Sequence, residues 1–243
     1  MKKSKVRIFV SQKISANLII YIKKKQYHYL KNVMRVKNND FIKIFDGISG
    51  EWEAIIVSIK RDSIELKAVK KINSFAKSKD IWLIFSPIKQ QRMGIAIQKA
   101  TELGVSKIIP CFTNYSSIKN INLKRLQENA IEASEQSERL DIPSVEKVLK
   151  LNDLIYNWPK DRILIFCDEK LEKNKLIIET LKSLKRNKSK FAILIGPEGG
   201  FSDEERALIS TKTNVISVSL GERILRSDTA ITVALYCISE MTS

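Results

Sequence analysis

Short runs of alternating apolar and polar residues, the pattern of β-strands with one buried face, dominate the N-terminal part of the chain. Four such runs lie at residues 6–10, 41–45, 52–56 and 64–69. Residues 27–36 differ, because Leu30, Val33 and Met34 are spaced as on one face of a helix. This order predicts a small β-barrel with one short helix.

From residue 81 onward, apolar runs alternate with amphipathic stretches, which is the pattern of an α/β protein with a mostly parallel sheet. The predicted strands are residues 81–85, 107–109, 163–167, 192–195 and 215–219. Residues 73–80 carry Lys, Ser and Asn with little apolar periodicity, so we interpret them as a linker. The expected organisation is therefore a barrel domain at residues 1–72 and an α/β domain at residues 81–243.

A glycine-rich loop follows one of these strands directly. Residues 196–200 read Gly-Pro-Glu-Gly-Gly, and Ser202 with Glu205 then forms the capping-box pattern of a helix start. Ligands of α/β sheets bind at the carboxyl ends of strands, where glycines let backbone amides approach. The alternative is a tight strand-to-helix turn that needs glycine only for its backbone dihedrals.

A second unit of the same kind follows. The strand-like residues 215–219 lead into a loop at residues 220–226, after which Ser227 is predicted as the N-cap of an apolar helix. Asp228 complements the dipole at the start of that helix. Two successive strand-loop-helix units indicate one bipartite ligand pocket. Neither loop has the G-x-G-x-x-G or Walker A spacing, which argues against an ordinary dinucleotide or nucleoside triphosphate site.

Charge adds a candidate partner. Lysine and arginine number 43 against 27 acidic residues, a formal net charge of +16, which suits a polyanion such as nucleic acid. The alternative is that the lysines only solvate helix faces. The three cysteines are far apart and His28 is the only histidine, so neither a metal site nor a disulfide framework is expected. No apolar run would span a membrane and the N-terminus does not resemble a signal peptide, so we expect a cytoplasmic protein.

Several motifs together resemble one family. Residues 196–202 and 220–230 resemble the C-terminal signature of the RsmE family, the 16S ribosomal RNA uridine-N3 methyltransferases of the SPOUT superfamily. Residues 98–105 and 132–137 resemble its central motifs. The N-terminal domain is matched by His28, Tyr29, Leu30, Arg35, Phe45, Asp46 and Gly47. The resemblance covers essentially the whole chain, with the motifs in the expected order.

The resemblance implies a PUA-like barrel that binds RNA and a SPOUT α/β domain whose last segment threads a trefoil knot. It also implies a homodimer through the knot domain, S-adenosylmethionine (S-adenosyl-L-methionine) as cofactor, and ribosomal RNA or the small ribosomal subunit as partner. The positions implied to bind the cofactor are Leu194, Ile195, Gly196, Pro197, Glu198, Gly199, Gly200, Leu220, Gly221, Ile224 and Leu225.

Methylation at uridine N3 requires loss of the imide proton, which spreads negative charge onto O2 and O4. A cation near those oxygens would stabilise the transition state, and Arg226 is the first candidate. Arg226 could instead bind an RNA phosphate or brace the knot. Glu198 and Asp228 are the candidate bases, although either could be a structural hydrogen-bond acceptor.

Basic residues of the small domain, with two from the larger domain, are the candidates for RNA binding. They are Arg7, Lys23, Lys24, Lys25, His28, Lys31, Arg35, Arg92 and Arg139. His28 lies between Tyr27 and Tyr29, where stacking on a base competes with packing or a phosphate contact.

The chain departs from the family pattern in three places. Residues 113–116 read Thr-Asn-Tyr-Ser where a Ser-Glu-Arg run is usual, and Glu138 stands where glycine is common. Ser227 and Asp228 replace a Thr-Glu pair and keep a cap and an acid. Two other functions stay open: a SPOUT enzyme that methylates the ribose 2′-O of RNA, and an RNA-binding assembly factor without catalysis.

Overall fold

The protein is described by a computed structural model that covers residues 6–170, 176–184 and 190–241. The chain forms two compact units, one of residues 1–77 and 134–142 and the other of residues 78–133 and 143–243. Residues 134–142 thus belong to the first unit, whereas the sequence interpretation places them in the α/β domain. Each unit has a hydrophobic core of its own.

The first unit is a five-stranded sheet with one short helix. Its elements are β1 (Arg7–Phe9), β2 (Ile19–Lys23), α1 (Lys24–His28), β3 (Phe41–Phe45), β4 (Glu51–Ile59) and β5 (Ser63–Asn73). The strand order is β1-β3-β4-β5-β2, in which only the β1–β3 pairing is parallel. Helix α1 continues into a π-helical turn, Tyr29–Val33, where the Met34 amide donates to the Tyr29 carbonyl at 2.9 Å. The predicted helix is confirmed, but its second half is wound more widely than an α-helix.

The period-two pattern of the first unit places alternate side chains in its core. Ile42 and Ile44 on β3 and Ala54 and Ile56 on β4 are completely or almost completely buried. Strand β2 was not predicted from the sequence, although Ile20 and Ile22 alternate with exposed neighbours as in a half-buried strand.

The second unit alternates strands and helices. Its strands are β6 (Asp80–Phe85), β7 (Lys107–Phe112), β8 (Ser144–Val145), β9 (Leu149–Lys150), β10 (Ile163–Cys167), β11 (Lys190–Ile195) and β12 (Val215–Val218). Its helices are α2 (Gln90–Glu102), α3 (Leu123–Gln136), α4 (Leu151–Tyr156), α5 (Ile177–Ser183), α6 (Asp203–Ser210) and α7 (Ser227–Met241). The last residues of α3 fall in the first unit.

The central sheet of the second unit has the order β12-β10-β11-β6-β7-β8, with β9 also paired to β7. All of these pairings are parallel, as predicted. Both faces are covered, because Ile193 of β11 packs into one core cluster and Leu194 into the other. Burial on both faces explains why these strands read as continuous apolar runs rather than as alternating ones.

Strands β10, β11 and β12 are neighbours in the sheet, so the loops that follow them emerge at one edge. The first two of these loops lead toward α5 and α6, and the third leads into α7. Among the described residues, no helix combines the length and the apolar character that a membrane crossing requires.

Candidate active site

A cavity of about 300 Å³ lies at the carboxyl ends of β10, β11 and β12. Its walls come from the three loops that follow these strands, and the whole cavity belongs to the second unit. The lining residues are Cys167, Asp168, Glu169, Ile195, Gly196, Pro197, Glu198, Gly200, Ser219, Leu220, Gly221, Glu222, Arg223, Ile224, Leu225, Arg226, Ser227 and Ala230. The two loops singled out from the sequence therefore meet around one cavity.

Two glycines of the first loop are required by its geometry. A Cβ atom on Gly196 would lie 2.6 Å from Cε2 of Phe201, a ring that is buried in the core. Gly200 has φ +68°, and a Cβ atom there would overlap Oε1 of Glu169. Both positions therefore need glycine, one for close packing and the other for its backbone and its neighbour.

The start of α6 fixes the end of that loop. Ser202 Oγ accepts from the Glu205 amide at 3.3 Å, and Glu205 Oε2 accepts from the Ser202 amide at 2.9 Å. This confirms the predicted capping box. Asn114, on the loop after β7, joins it by donating from its amide nitrogen to Glu205 Oε1 at 2.8 Å and from Nδ2 to Ser202 Oγ at 3.0 Å.

The second loop is attached to the first by Ser227. Helix α7 begins at Ser227 itself, and the Ser227 hydroxyl donates to the Gly196 carbonyl at 3.1 Å. The prediction that Ser227 acts as an N-cap is therefore corrected: it is the first helical residue, and its side chain joins the two loops. Gly221 adopts φ +124°, a conformation that favours glycine, and its amide donates to Ser219 Oγ at 3.3 Å.

Most positions expected to bind the cofactor line the cavity, with two exceptions. The Leu194 side chain is completely buried in the core beneath the loop. Gly199 does not line the cavity either; a Cβ atom placed on it would lie 3.1 Å from Cβ of Tyr115.

The three candidate catalytic residues have different surroundings. Arg226 is exposed and lines the cavity. Glu198 also lines it and forms an ion pair with Arg92, with 3.2 Å between Oε1 and Nη1. Asp228 is half-buried and is not among the lining residues, and its Oδ1 is buried with no hydrogen-bond partner in the described part of the chain.

An acidic pair at the cavity was not anticipated from the sequence. Asp168 and Glu169 follow β10, and Arg206 of α6 holds both: Nε lies 3.0 Å from Asp168 Oδ2, and Nη2 lies 2.8 Å from Glu169 Oε1. Burial alone would lower the pKa of Arg206, but these carboxylates raise it above its ordinary value. Their position after a strand that neighbours β11 was the only available signal.

Most of the basic residues predicted to bind RNA in the first unit are exposed around α1 and the π-helical turn. They are Lys23, Lys24, Lys25, His28, Lys31 and Arg35. Tyr27 and Tyr29 pack against the core of this unit, whereas His28 between them faces outward. His28 is therefore not packed in the core, which leaves base stacking or a phosphate contact as its candidate roles.

Two other arginines are committed to contacts within the first unit. Arg7 is 5% exposed, and its guanidinium donates to Glu51 Oε1 at 2.6 Å and to the Ser134 carbonyl at 2.7 Å. The expectation that Arg7 binds RNA is corrected, because burial and these bonds leave it no access to a phosphate. Arg139 pairs with Asp141, with 3.1 Å between Nη2 and Oδ1, and only 7% of its side chain is exposed.

The departure at Glu138 has a conformational consequence. Glu138 has φ +59°, which accounts for the frequency of glycine at this place in the family pattern. Its carboxylate forms an ion pair with Lys43 at 3.4 Å.

Comparison with known proteins agrees with this geometry. A family model of the RNA methyltransferase domain matches residues 76–239, and a model of the RNA methyltransferase PUA domain matches residues 22–69. The ribosomal RNA small subunit methyltransferase E of Rickettsia conorii is 33% identical to this chain over 230 residues, covering 94% of this chain and 93% of the relative. This chain belongs to the RsmE family.

Other members of the RsmE family support the same conclusion. The ribosomal RNA small subunit methyltransferase E of Buchnera aphidicola subsp. Schizaphis graminum is 31% identical, covering 98% of this chain and 97% of the relative. The crystal structure of the Neisseria gonorrhoeae ribosomal RNA small subunit methyltransferase E, bound to S-adenosyl methionine, is similar with a TM-score of 0.86 and 26% identity over 97% of each chain. The predicted PUA-like domain and α/β domain of the RsmE fold are thereby confirmed.

Proposed function

We propose that this protein is an S-adenosylmethionine-dependent methyltransferase that methylates N3 of a specific uridine in 16S ribosomal RNA. The observation that carries the proposal is the single cavity formed by the two RsmE signature loops, which the Ser227–Gly196 hydrogen bond joins. Membership of the RsmE family supplies the reaction and the class of RNA.

The residues of the cavity fit this cofactor. Its volume of about 300 Å³ is within the range of small-molecule sites. Ile195, Leu220 and Leu225 are apolar lining residues. Gly196, Gly200 and Gly221 also line the cavity and, having no side chain, can offer only backbone groups to a ligand. The carboxylates of Asp168 and Glu169 suit the positive charge of the cofactor. When bound, S-adenosylmethionine supplies a methyl group activated by its sulfonium.

Side chains at or near the cavity stabilise charge on the target uridine and accept its N3 proton. We propose that Arg226, exposed at the cavity, stabilises negative charge on uridine O2 and O4 as the N3 proton leaves. Glu198 and Asp228 are the candidate proton acceptors. Glu198 forms an ion pair with Arg92, so accepting the N3 proton would neutralise its carboxylate and weaken that ion pair. Asp228 has a buried oxygen without a partner in the described part of the chain, which leaves it free to accept a hydrogen bond.

We propose that the exposed basic residues of the PUA-like unit, with Arg92 of the second unit, position the RNA through its phosphates. The net charge of +16 supports this interpretation, since phosphate contacts dominate RNA affinity. Affinity for 16S ribosomal RNA is then expected to fall steeply as salt concentration rises.

The RsmE resemblance further supports a trefoil knot around the second loop, a homodimer through the knot domain and a cytoplasmic location. The exposed apolar Ile224 and Tyr236, which lie in or near α7, are candidates for the dimer contact. Sedimentation of the purified protein over a concentration series tests the dimer, and a monomer at all concentrations would contradict it.

The decisive experiment deletes the gene and maps methylated nucleosides in 16S ribosomal RNA by mass spectrometry. We expect the loss of one N3-methyluridine, restored by the intact gene. A lost ribose 2′-O-methyl group would instead indicate the other SPOUT activity. Unchanged methylation, together with no binding of S-adenosylmethionine in calorimetry, would indicate an assembly factor without catalysis.

The role of Arg226 has a separate test. Arg226→Ala is expected to lower the turnover rate about 100-fold while the affinity for S-adenosylmethionine changes only a few-fold. Equal losses in both would identify Arg226 as a cofactor-binding residue.

A further inference from the structure

An exposed aromatic ring lies next to the first cofactor loop. Tyr115, on the loop after β7, is 53% exposed, and its hydroxyl has no hydrogen-bond partner in the described part of the chain. It belongs to the segment in which this chain departs from the RsmE pattern. About half of the Tyr115 surface is therefore available to a ligand.

The loop that carries Tyr115 is fixed at both sides of the ring. Ser116 Oγ accepts from the Thr113 amide at 2.8 Å and lies 2.7 Å from Ser86 Oγ, at the carboxyl end of β6. On the other side, Asn114 is bonded to the capping box of Ser202 and Glu205. The backbone of residue 115 is therefore held in place, so that a ligand would not have to order it.

The ring lies beside residues that line the cofactor cavity. A Cβ atom on Gly199 would be 3.1 Å from Cβ and 3.7 Å from Cγ of Tyr115, so the side chain of Tyr115 begins directly over Gly199. The neighbours of Gly199 on both sides, Glu198 and Gly200, line the cavity. Glu198 also forms an ion pair with Arg92, so a cation lies at the residue next to Gly199.

We propose that the ring of Tyr115 stacks on an unpaired base of the RNA substrate beside the cofactor cavity. This inference rests on the proposed function. Methylation of N3 requires a base outside a duplex, since N3 lies on the edge that pairs. Unstacked RNA bases are commonly received by aromatic side chains, and each such stack contributes substantially to affinity.

The test compares Tyr115→Ala with Tyr115→Phe, using 16S ribosomal RNA from the deletion strain as substrate. Tyr115→Ala removes the ring and is expected to lower kcat/KM for RNA about 5- to 150-fold. The affinity for S-adenosylmethionine in calorimetry should be unchanged. Tyr115→Phe keeps the ring and loses only an unpartnered hydroxyl, so it should restore most of the activity. Tyr156→Ala, which removes another exposed tyrosine, from α4, serves as the control.

A second measurement locates the ring directly. RNA that carries 5-iodouridine at the methylated position or beside it is irradiated with the protein, and the cross-linked peptide is identified by mass spectrometry. A cross-link to Tyr115 supports the proposal. Equal kinetics of Tyr115→Ala and the unsubstituted protein, or equal losses in Tyr115→Ala and Tyr115→Phe, would overturn it. A changed sedimentation coefficient of Tyr115→Ala with unchanged RNA affinity would assign the ring to a contact between chains and also overturn it.

The outcome is separable from the proposed function. If the unsubstituted protein methylates no uridine, the proposed function fails. Equilibrium binding of the same RNA to the unsubstituted protein, Tyr115→Ala and Tyr115→Phe still shows whether the ring contributes to RNA affinity.

Discussion

The hydroxyl of Ser227 donates a hydrogen bond of 3.1 Å to the carbonyl of Gly196, a residue 31 positions earlier in the chain. Ser227 is the first residue of α7, and Gly196 is the first residue after β11. This bond joins the two loops that line the cavity and links segments that no local sequence pattern connects.

Ser227→Ala should weaken both stability and cofactor binding. The substitution removes the hydroxyl from a side chain that is 6% exposed and leaves the Gly196 carbonyl without this donor. We expect a loss of about 1–3 kcal/mol in the free energy of unfolding, measured by chemical denaturation, and a several-fold lower affinity for S-adenosylmethionine. Ser239→Ala is the control, because it removes a hydroxyl that donates to the Tyr236 carbonyl within the same helix α7. Cofactor affinity equal to that of Ser239→Ala would show that the bond does not shape the cavity.

Gly200→Ala should lower the affinity for S-adenosylmethionine more than backbone strain alone would. An alanine at φ +68° costs about 1–2 kcal/mol, and the added Cβ would displace Glu169 from Arg206. Gly104→Ala is a matched control, because Gly104 has φ +86° and no atom within 4 Å of the added Cβ.

Both variants are expected to lose similar stability in thermal unfolding, whereas only Gly200→Ala should lose affinity for S-adenosylmethionine in calorimetry. The same affinity in both variants would show that the Glu169 carboxylate can move without affecting the cavity.

Asp46→Asn should destabilise the first unit in a pH-dependent way. Burial alone would raise the pKa of Asp46, but hydrogen bonds from Ser49, Ile14 and Ile48 outweigh it and hold the pKa below its ordinary value. The folded-state pKa is thus lower than the unfolded one. The stabilisation is present above the unfolded pKa and is lost as pH falls through the folded pKa.

At neutral pH, Asp46→Asn is therefore expected to lower the free energy of unfolding by about 1–3 kcal/mol. Below about pH 4 the difference from the unsubstituted protein should shrink. Denaturation at several pH values, with the exposed Asp62→Asn as control, measures this. A difference that stays constant down to acidic pH would contradict the assigned hydrogen bonds.

The cysteines should react slowly with alkylating agents in the folded protein. Burial raises the pKa of Cys111 to about 12, and burial also raises the pKa of Cys167, which lines the cavity. Because the thiolate is the reactive form, less of it is present at neutral pH than in an exposed thiol. Mass spectrometry after iodoacetamide treatment should show modification of the half-buried Cys237 first and of all three in denaturant. Rapid labelling of Cys167 in the folded protein would indicate that the cavity opens around this residue.

Much of the fold follows from the sequence, because strand and helix signals are local. Apolar runs predicted β10, β11 and β12, and the Ser202–Glu205 spacing predicted the start of α6 within one residue. The parallel order of the sheet also followed, since strands separated by helical stretches rarely pair otherwise. The two loops could be recognised because each joins a strand end to a helix start.

The assignments that failed depend on contacts between distant segments. From the sequence, Arg7 was interpreted as an exposed cation, whereas in the structure its guanidinium donates to Glu51 and to the carbonyl of Ser134. Ser227 looked like a helix cap until its hydroxyl was found on Gly196. Side-chain identity gives the capacity of such a group to donate, but only the packed chain decides which acceptor it meets.

By itself, the sequence determined the alternation of strands and helices in the second unit, the two glycine-rich loops and, through its motifs, the RsmE resemblance. Tertiary structure alone decided that the loops share one cavity, that Arg206 holds Asp168 and Glu169 beside it, and that Tyr115 lies over Gly199. The physical reason is the distance along the chain over which each signal acts. Periodicity and capping act over a few residues, whereas a site at the edge of a parallel sheet gathers residues from strands that are neighbours in space and far apart in the chain.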